Sequence, residues 1–448
     1  MQLPKDFALQ MSTLLGADEY QKFCNALDAP PCVSVRANPF KDASGEGLRS
    51  LECGEAVAWS SCGRYLTGRP NFTLNPLFHS GTFYVQEASS MSIEQALKQC
   101  GSPHAVLDLC AAPGGKSTLM RSLLPDGALL VCNDPTRSRA QVLAENIAKW
   151  GHEGCLVTSN YPKDFAKVGP VFDLITVDAP CSGEGMFRKD NPALEMWSPN
   201  NVAICAERQR DIVRTVWPAL KGGGYMIYST CTYNTAENEE NIVFFCKELD
   251  AEAVAITFPP SCDITGNLLA TSNAPVCRFM PHKTKGEGLF LALLRKRGGT
   301  DTQRLKGKLR FKPLPDIWTE TLDSKHFALL EKDNCGYAIR QSDAELVNHL
   351  LNTLYPLHIG LPLYEKKGGK TIPAHELAMS RLPGISSSFP TVELALPQAL
   401  DYLRRQAISI DAKKGYILLT YKNVPLGFAN NLGGRANNMY PNNWRIRH

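Results

Sequence analysis

Residues 223 to 233, Gly-Gly-Tyr-Met-Ile-Tyr-Ser-Thr-Cys-Thr-Tyr, run a short apolar stretch into a thiol. Tyr225 to Tyr228 reads as a buried strand. Ligands of open α/β sheets bind just beyond the carboxyl ends of the strands, so Cys231 is presented to a cleft by a rigid element. Alone, the same residue reads as one more cysteine packed as a small hydrophobe. A second thiol lies in Asp178-Ala179-Pro180-Cys181-Ser182-Gly183-Glu184-Gly185, again after an apolar run. A buried acid is costly unless paired, which makes Asp178 a candidate partner for a substrate amino group. Two cysteines ending neighbouring strands have three readings: metal site, redox pair or covalent catalysis. No third or fourth ligand with zinc spacing is evident, and the chain has no C-x-x-C pair.

The third motif is Val106-Leu107-Asp108-Leu109-Cys110-Ala111-Ala112-Pro113-Gly114-Gly115-Lys116-Ser117. A strand runs through small residues into a helix, whose first N–H groups are free to face an anion. Gly115-Lys116-Ser117 invites a P-loop reading, but the glycine required five places before Gly115 is Cys110. The loop suits a cofactor that carries a carboxylate and no phosphate, such as S-adenosylmethionine. Asp134 ends the next strand, 18 residues after Lys116. A carboxylate there can accept hydrogen bonds from both ribose hydroxyls. It can equally cap the turn before Pro135.

The elements that hold these motifs alternate from residue 104 onward. Apolar strands are expected at 104–109, 128–132, 155–158, 172–177 and 225–228, with helices at 116–124, 137–150 and 237–249 between and after them. Ser198-Pro199 starts a further helix with cap and first-turn proline in order. Val202, Cys205, Gln209, Ile212, Val216 and Leu220 give it a mostly apolar stripe. Later strands fall at 276–279 and 289–294. The series predicts a mainly parallel sheet covered by helices on both faces. Ahead of it, 4–28 reads as two short helices and 32–36 as a strand, forming a small α/β cap. Ser89 or Ser90 is placed to cap a helix, with Tyr84 and Gln86 packed before it. Thr302 to Lys312 puts five cations on eleven residues and reads as a linker. A β-rich module follows from about 356, with 416–421 among its strands. The expected division is 1–75 cap, 76–298 catalytic domain, 299–355 linker and intermediate segment, and 356–448 terminal module.

With 448 residues, the chain is long enough for two or three domains. No apolar run reaches the ~18 residues of a membrane span, and Met-Gln-Leu-Pro-Lys-Asp carries no signal core. Fifteen scattered cysteines suit a reducing cytoplasm rather than a disulfide framework. The net charge is +4 but uneven: residues 302–448 hold 20 Lys/Arg against 12 Asp/Glu, residues 1–301 hold 28 against 32. That asymmetry points to a polyanionic partner for the C-terminal part, or to a solvated surface.

Ala111-Ala112-Pro113-Gly114-Gly115-Lys116, Asp178-Ala179-Pro180-Cys181-Ser182-Gly183 and Ser229-Thr230-Cys231-Thr232 together resemble the NOL/NOP/Sun family of RNA cytosine-C5 methyltransferases. Ser34-Val35-Arg36-Ala37-Asn38 also fits. The end of the chain, from Pro425-Leu426-Gly427 through Asn438-Met439-Tyr440-Pro441 to Trp444-Arg445-Ile446-Arg447, resembles the PUA-like tail of the bacterial RsmF-type 16S rRNA enzymes. The resemblance implies a Rossmann-like S-adenosylmethionine methyltransferase sheet with an N-terminal α/β cap and a β-rich PUA-like domain. It implies that Cys231 is the nucleophile toward C6 of cytosine, that Cys181 assists release, and that Asp178 bonds the cytosine edge. Cofactor contacts carry over to Cys110, Ala111, Ala112, Pro113, Gly114, Gly115, Lys116, Asp134 and Asp178. The family usually has a third acid where this chain has Asn160, whose amide can still pair with adenine. Arg188 and Lys189 are expected to contact phosphate at the cleft rim, or to lie exposed without RNA. Arg435, Tyr440, Trp444, Arg445 and Arg447 interleave cations with aromatics as RNA surfaces do, although Tyr440 and Trp444 also read as core.

The implied partner is RNA, 16S rRNA of the small ribosomal subunit, met by a cytoplasmic monomer that needs no metal and no membrane. Two rival readings remain. One is a tRNA methyltransferase of the same fold, or a direct-displacement enzyme that needs no cysteine. The other is a catalytically silent RNA-binding or ribosome-assembly factor, kept open by Asn160.

Overall fold

Alternate residues of the Ala105–Asp108 strand serve two cores. Val106 packs on one face of a large sheet and Leu107 on the other, both fully buried. The same holds for Leu174 and Ile175, and for Ile227 and Tyr228. Burial on both faces is what a continuous apolar run encodes. The computed structural model describes residues 1–41, 45–189, 191–299, 304–315, 318, 322–433 and 435–447.

The large sheet has the order Ala251–Val254, Leu289–Lys296, Leu220–Thr230, Phe172–Asp178, Ala105–Asp108, Leu129–Asn133, Cys155–Thr158, Pro356–Ile359, with Cys277–Phe279 paired to Leu289–Lys296. The five strands from 220–230 to 155–158 are parallel to one another. The edges are antiparallel. Helices Gly115–Leu123 and Arg137–Trp150 cover one face through Leu119, Met120, Leu143 and Ile147. Pro199–Val216 and Glu239–Glu248 cover the other through Val213, Val216, Ile242 and Phe245. Ser198 caps the first of these, its Oγ accepting from the Asn201 N–H at 3.1 Å. From Ala105–Asp108 the chain builds outward to one side, then returns to build the other. The reversal lies between Asp108 and Asp178, where an open α/β sheet forms its ligand crevice.

The two N-terminal helices, Lys5–Leu15 and Ala17–Asp28, form where the apolar spacing puts them. Their Phe7, Met11, Phe23 and Leu27 pack on Phe187, Trp197, Tyr233 and Met280 of the central unit. A small sheet follows, in the order Cys53–Ala56, Gly63–Leu66, Ser34–Ala37, Phe83–Val85. Arg36 is fully buried and fastens that sheet to the central unit. Its Nε donates to Gln86 Oε1, one terminal nitrogen donates to Thr118 Oγ1 at 2.6 Å, and its plane lies 4.4 Å from the Trp150 ring. The expected serine cap is replaced by Glu87, whose carboxylate accepts the Ser89 and Ser90 N–H groups. Each N–H meets its own charged oxygen of the carboxylate, where a serine would offer both a single neutral one.

The C-terminal third differs from the expectation in two places. The Pro356–Ile359 strand pairs with Cys155–Thr158 in the large sheet, while Leu361–Lys367 belongs to a separate five-stranded sheet. Gly360, at φ +49°, makes the break in what the sequence presents as one apolar run. The basic stretch is not a free linker. Thr302 and Gln303 lie outside the described residues, but Leu305, Leu309 and Phe311 pack on the central core. Phe311–Lys312 pairs with Phe327–Lys332. Beyond, Gly415–Tyr421 and Val424–Asn431 form the hairpin of a four-stranded sheet. Arg381 binds Glu153 through two nitrogens at 2.9 and 3.0 Å, joining this third to the central unit. Among the described residues, no helix is long and apolar enough to cross a membrane.

Candidate functional site

A cleft of about 210 Å³ opens at the reversal point. Its walls are Cys110 to Pro113, Gly115, Lys116, Asp108 and Asp178 from the central unit, and Tyr84 to Glu87 with Ser90 from the segment before it. Gly114, at φ +114°, turns the loop into its helix, a conformation L side chains rarely adopt. The loop is held from the 137–150 helix: Asn146 Nδ2 donates to Pro113 O at 2.8 Å, and Arg139 donates to Ala112 O at 3.1 Å.

The cleft is rich in acid. Lys116 Nζ lies 2.8 Å from Asp178 Oδ2, and Ser229 Oγ donates to Asp178 Oδ1 at 2.7 Å. Burial alone would lower the Lys116 ammonium, but Asp178 and, more weakly, Cys231 and Asp108 outweigh it and raise it. Asp108 is fully buried. Its Oδ2 accepts from Ser117 Oγ at 2.6 Å, and its Oδ1 has no partner. Burial, with Asp178 and Asp134 nearby, pushes its carboxyl up to about 7. Burial and the same acids push the Cys110 thiol well above its ordinary range, so it stays neutral. An orphaned buried acceptor among carboxylates suits a ligand that brings a positive charge and an N–H donor.

Asp134 and Asn160 are placed differently from the rest. Asp134 caps its turn, Oδ1 accepting from the Thr136 N–H at 2.9 Å, and Oδ2 lies 3.3 Å from Arg139. Asn160, whose amide is expected to pair with adenine through its oxygen or its NH2, accepts at Oδ1 from the Tyr355 N–H at 2.8 Å. Its Nδ2 faces Asp164 at 3.4 Å. Asn133 ties these strand ends together, donating to Leu109 O and Asn160 O, both at 3.0 Å.

Cys181 and Cys231 meet, with their sulfurs 3.1 Å apart. The Cys231 sulfur, burial and Glu237 all push the Cys181 thiol well above its usual range, so Cys181 keeps its proton against its neighbour. Gly185 lets the two loops touch. Its N–H donates to Cys231 O at 2.8 Å, and a Cβ there would stand 2.7 Å from Gly288 O and 3.0 Å from Cys231 O.

Several residues of this site escape a reading of the sequence. Glu184 accepts the Tyr233 and Asn234 N–H groups at 2.7 and 2.9 Å. Glu237 and Gln209 are fully buried between the loops. Gln209 leaves a signal, as the one amide in an otherwise apolar stripe. Asp108 leaves another, as an acid at the end of the first strand. Arg188 is not a free rim cation. It is 6% exposed, pairs with Glu287 at 2.7 Å, and donates to Ala26 O and Gly286 O. Lys189 leans on the same Glu287 at 3.1 Å. In the tail, Tyr440 and Trp444 are core residues, while Arg435, Arg445 and Arg447 are exposed.

Three family models match the chain. 16S rRNA methyltransferase RsmB/F covers residues 96–295, the N-terminal domain of 16S rRNA methyltransferase RsmF covers 3–88, and the methyltransferase RsmF PUA domain covers 389–446. The ribosomal RNA small subunit methyltransferase F of Aliivibrio fischeri is 32% identical, over 98% of this chain and 97% of its own. That of Erwinia tasmaniensis is 30% identical, over 98% and 96%. Among solved structures, a methyltransferase homologue from Pyrococcus horikoshii superposes with TM-score 0.56 at 25% identity, covering 65% of this chain and 95% of that one. NSun6 from the same organism, solved with SFG, superposes with TM-score 0.56 at 20% identity, covering 66% and 99%.

Proposed function

Since the chain belongs to the ribosomal RNA small subunit methyltransferase F family of S-adenosylmethionine-dependent enzymes, we propose that it methylates C5 of a cytosine in 16S rRNA through a Cys231–C6 adduct. The observation that carries this reading is the Cys181–Cys231 contact at 3.1 Å, next to the Lys116–Asp178 pair at the mouth of the cleft. Cytosine C5 is too weak a nucleophile to accept a methyl group unaided, and a thiolate added at C6 makes it enamine-like.

When bound, S-adenosylmethionine supplies a methyl group on a positively charged sulfur. Cys110 to Lys116 and Asp108 would hold its amino-acid end, the orphaned Asp108 Oδ1 taking an ammonium N–H. Asp134 would accept the ribose hydroxyls with the capacity left by Thr136 and Arg139. Asn160, whose oxygen holds the Tyr355 N–H, would offer adenine its second lone pair or its remaining amide N–H. Asp178, anchored by Lys116 and Ser229, would bond the cytosine amino group and favour protonation of the ring at N3. The Cys231 sulfur, its thiol proton lost to solvent, then gives an electron pair to C6, and the displaced π pair moves to C5, which would take the methyl group while the methyl–sulfur bond pair stays on the departing sulfur. Loss of the C5 proton to a base returns that pair to the ring, and the S–C6 pair goes back to Cys231. Cys181, protonated and touching that sulfur, assists its departure. The target base has to leave any stack to reach the cleft.

In the same reading the N-terminal cap and the PUA-like tail position RNA, with Arg435, Arg445 and Arg447 on phosphates and Tyr440 and Trp444 holding the tail together. The enzyme works as a cytoplasmic monomer on the RNA of the small subunit. Cys231→Ser, assayed by tritiated methyl transfer to 16S rRNA, is expected to lose turnover while binding S-adenosylmethionine as tightly as the parent. Full activity in that variant would sink the covalent mechanism and favour direct displacement.

A further inference from the structure

Glu237 is fully buried, two residues short of the helix that follows the Cys231 loop. Its carboxylate is the meeting point of both cysteine loops. Oε1 accepts from Ser182 Oγ and from Asn234 Nδ2, the latter at 2.8 Å. Oε2 accepts from the Ser182 backbone N–H at 3.0 Å and from Gln209 Nε2 at 2.7 Å. Ser182 directly follows Cys181, and Asn234 lies three residues after Cys231. Gln209 also donates to Pro180 O at 3.0 Å, so the cysteine between positions 180 and 182 is held on both sides. Ser182 Oγ lies 3.0 Å from Thr232 Oγ1, beside Cys231.

We propose that Glu237 is the positioning residue of the cysteine pair, a carboxylate clamp that holds both loops and so aims the Cys231 sulfur beside Cys181. The inference rests on the covalent reading above. Four donors converge on one ion, and a carboxylate is the side chain that accepts from all of them without offering a proton. Burial pushes this carboxyl above its ordinary value, while the hydrogen bonds from Ser182 and Asn234 hold it back. Glu184 is the other acid near these loops, but it serves Tyr233, Asn234 and Trp197 rather than the residues flanking Cys181.

An isosteric amide discriminates this role from simple packing. Each oxygen of Glu237 receives at least one N–H that cannot turn away. Asn234 cannot flip, because its Oδ1 accepts from the Glu237 N–H at 2.8 Å. The Ser182 donor on the other oxygen is backbone. Whichever way a glutamine lies, its NH2 faces a donor, and one loop is released.

The test uses the full chain with 16S rRNA transcript, and compares Glu237→Gln with the parent in wild-type and Cys181→Ala backgrounds. A displacement of about 1 Å costs roughly 100-fold in rate. Glu237→Gln is therefore expected to lower kcat about 100-fold, with KM for RNA and Kd for S-adenosylmethionine each changed less than about twofold. In the Cys181→Ala background it slows the appearance of the protein–RNA adduct on denaturing gels by the same factor. Glu237→Asp, which keeps the charge, recovers part of the rate. Ser182→Ala removes one donor of four and lowers kcat about 10-fold, as expected for one hydrogen bond; it carries the test if Glu237→Gln does not fold. A kcat within threefold of the parent, or cofactor affinity falling in parallel with kcat, overturns the positioning role. An adduct that forms as fast after Glu237→Gln as before it overturns the same role alone. No adduct with Glu237 intact, together with full turnover in Cys231→Ser, overturns the Cys231 mechanism, and this inference with it.

Discussion

If Asp108 takes the cofactor's ammonium group as proposed, cofactor affinity depends on pH, and the dependence can be worked out from the burial of its carboxyl. Burial raises it to about 7, so roughly one molecule in ten carries the charge at pH 6 and nine in ten at pH 8. The orphaned Oδ1 can receive an ammonium N–H well only when ionised. Affinity for S-adenosylmethionine is therefore expected to rise about fivefold from pH 6 to about pH 7.4, and to fall above that as the ligand's own amino group, ordinarily at about 7.7–8.0, loses its charge. Neither close neighbour obscures this, since Lys116 is raised and remains charged while Cys110 is raised and remains neutral. Titration calorimetry in two buffers of different ionisation enthalpy should detect nearly one proton released per ligand at pH 6 and about half a proton taken up at pH 8. Asp108→Asn cannot ionise, so its affinity should show no such rise. The free protein should show the opposite trend. A carboxyl raised from about 3.8 in the unfolded chain favours the protonated native state, so stability falls as pH rises from about 4 to about 7, by at most roughly 4 kcal/mol. Equal affinities at pH 6 and about pH 7.4, or the same slope in Asp108→Asn, would refute the role given to this residue.

Cys181→Ala should accumulate a covalent protein–RNA species that survives a denaturing gel; its absence at saturating cofactor would remove Cys181 from the release step. Arg188→Ala leaves Glu287 with Lys189 in place of its closest partner and should cost about 1.5–3 kcal/mol, read as a fall in urea midpoint at unchanged slope. A change below about 1 kcal/mol would return Arg188 to the cleft rim. Gly185→Ala forces a Cβ against Gly288 O and Cys231 O, and should depress methyl transfer while leaving cofactor Kd within about twofold. Unchanged transfer in a folded variant would show that the loop contact does not fix Cys231.

What can be read from the sequence is what short-range physics determines. Strands buried on both faces announce themselves as apolar runs, and a serine followed by proline starts the 199–216 helix because cap and first turn are local. The residues that bring Cys110 to Lys116, Asp178, Cys181 and Cys231 together are legible for the same reason, since each ends a strand of one parallel sheet. Long-range partners are not legible. Counting along the chain points to Asn160, but not to the hydrogen bond that its oxygen also accepts from the backbone of Tyr355, which the 356–359 strand carries back to the sheet edge. Adjacency to a motif points to Arg188, but its charge is satisfied by Glu287, about one hundred residues on. Glu184 and Glu237 show the same limit within the site itself. Read along the chain, neither acid declares a role. In the fold, each faces only donors, so its work is to accept hydrogen bonds and hold the loops. A base needs an unoccupied lone pair aimed at the reacting proton. By that criterion Glu237 belongs to the architecture of the cysteine pair, and the cleft acid with an open oxygen is Asp108.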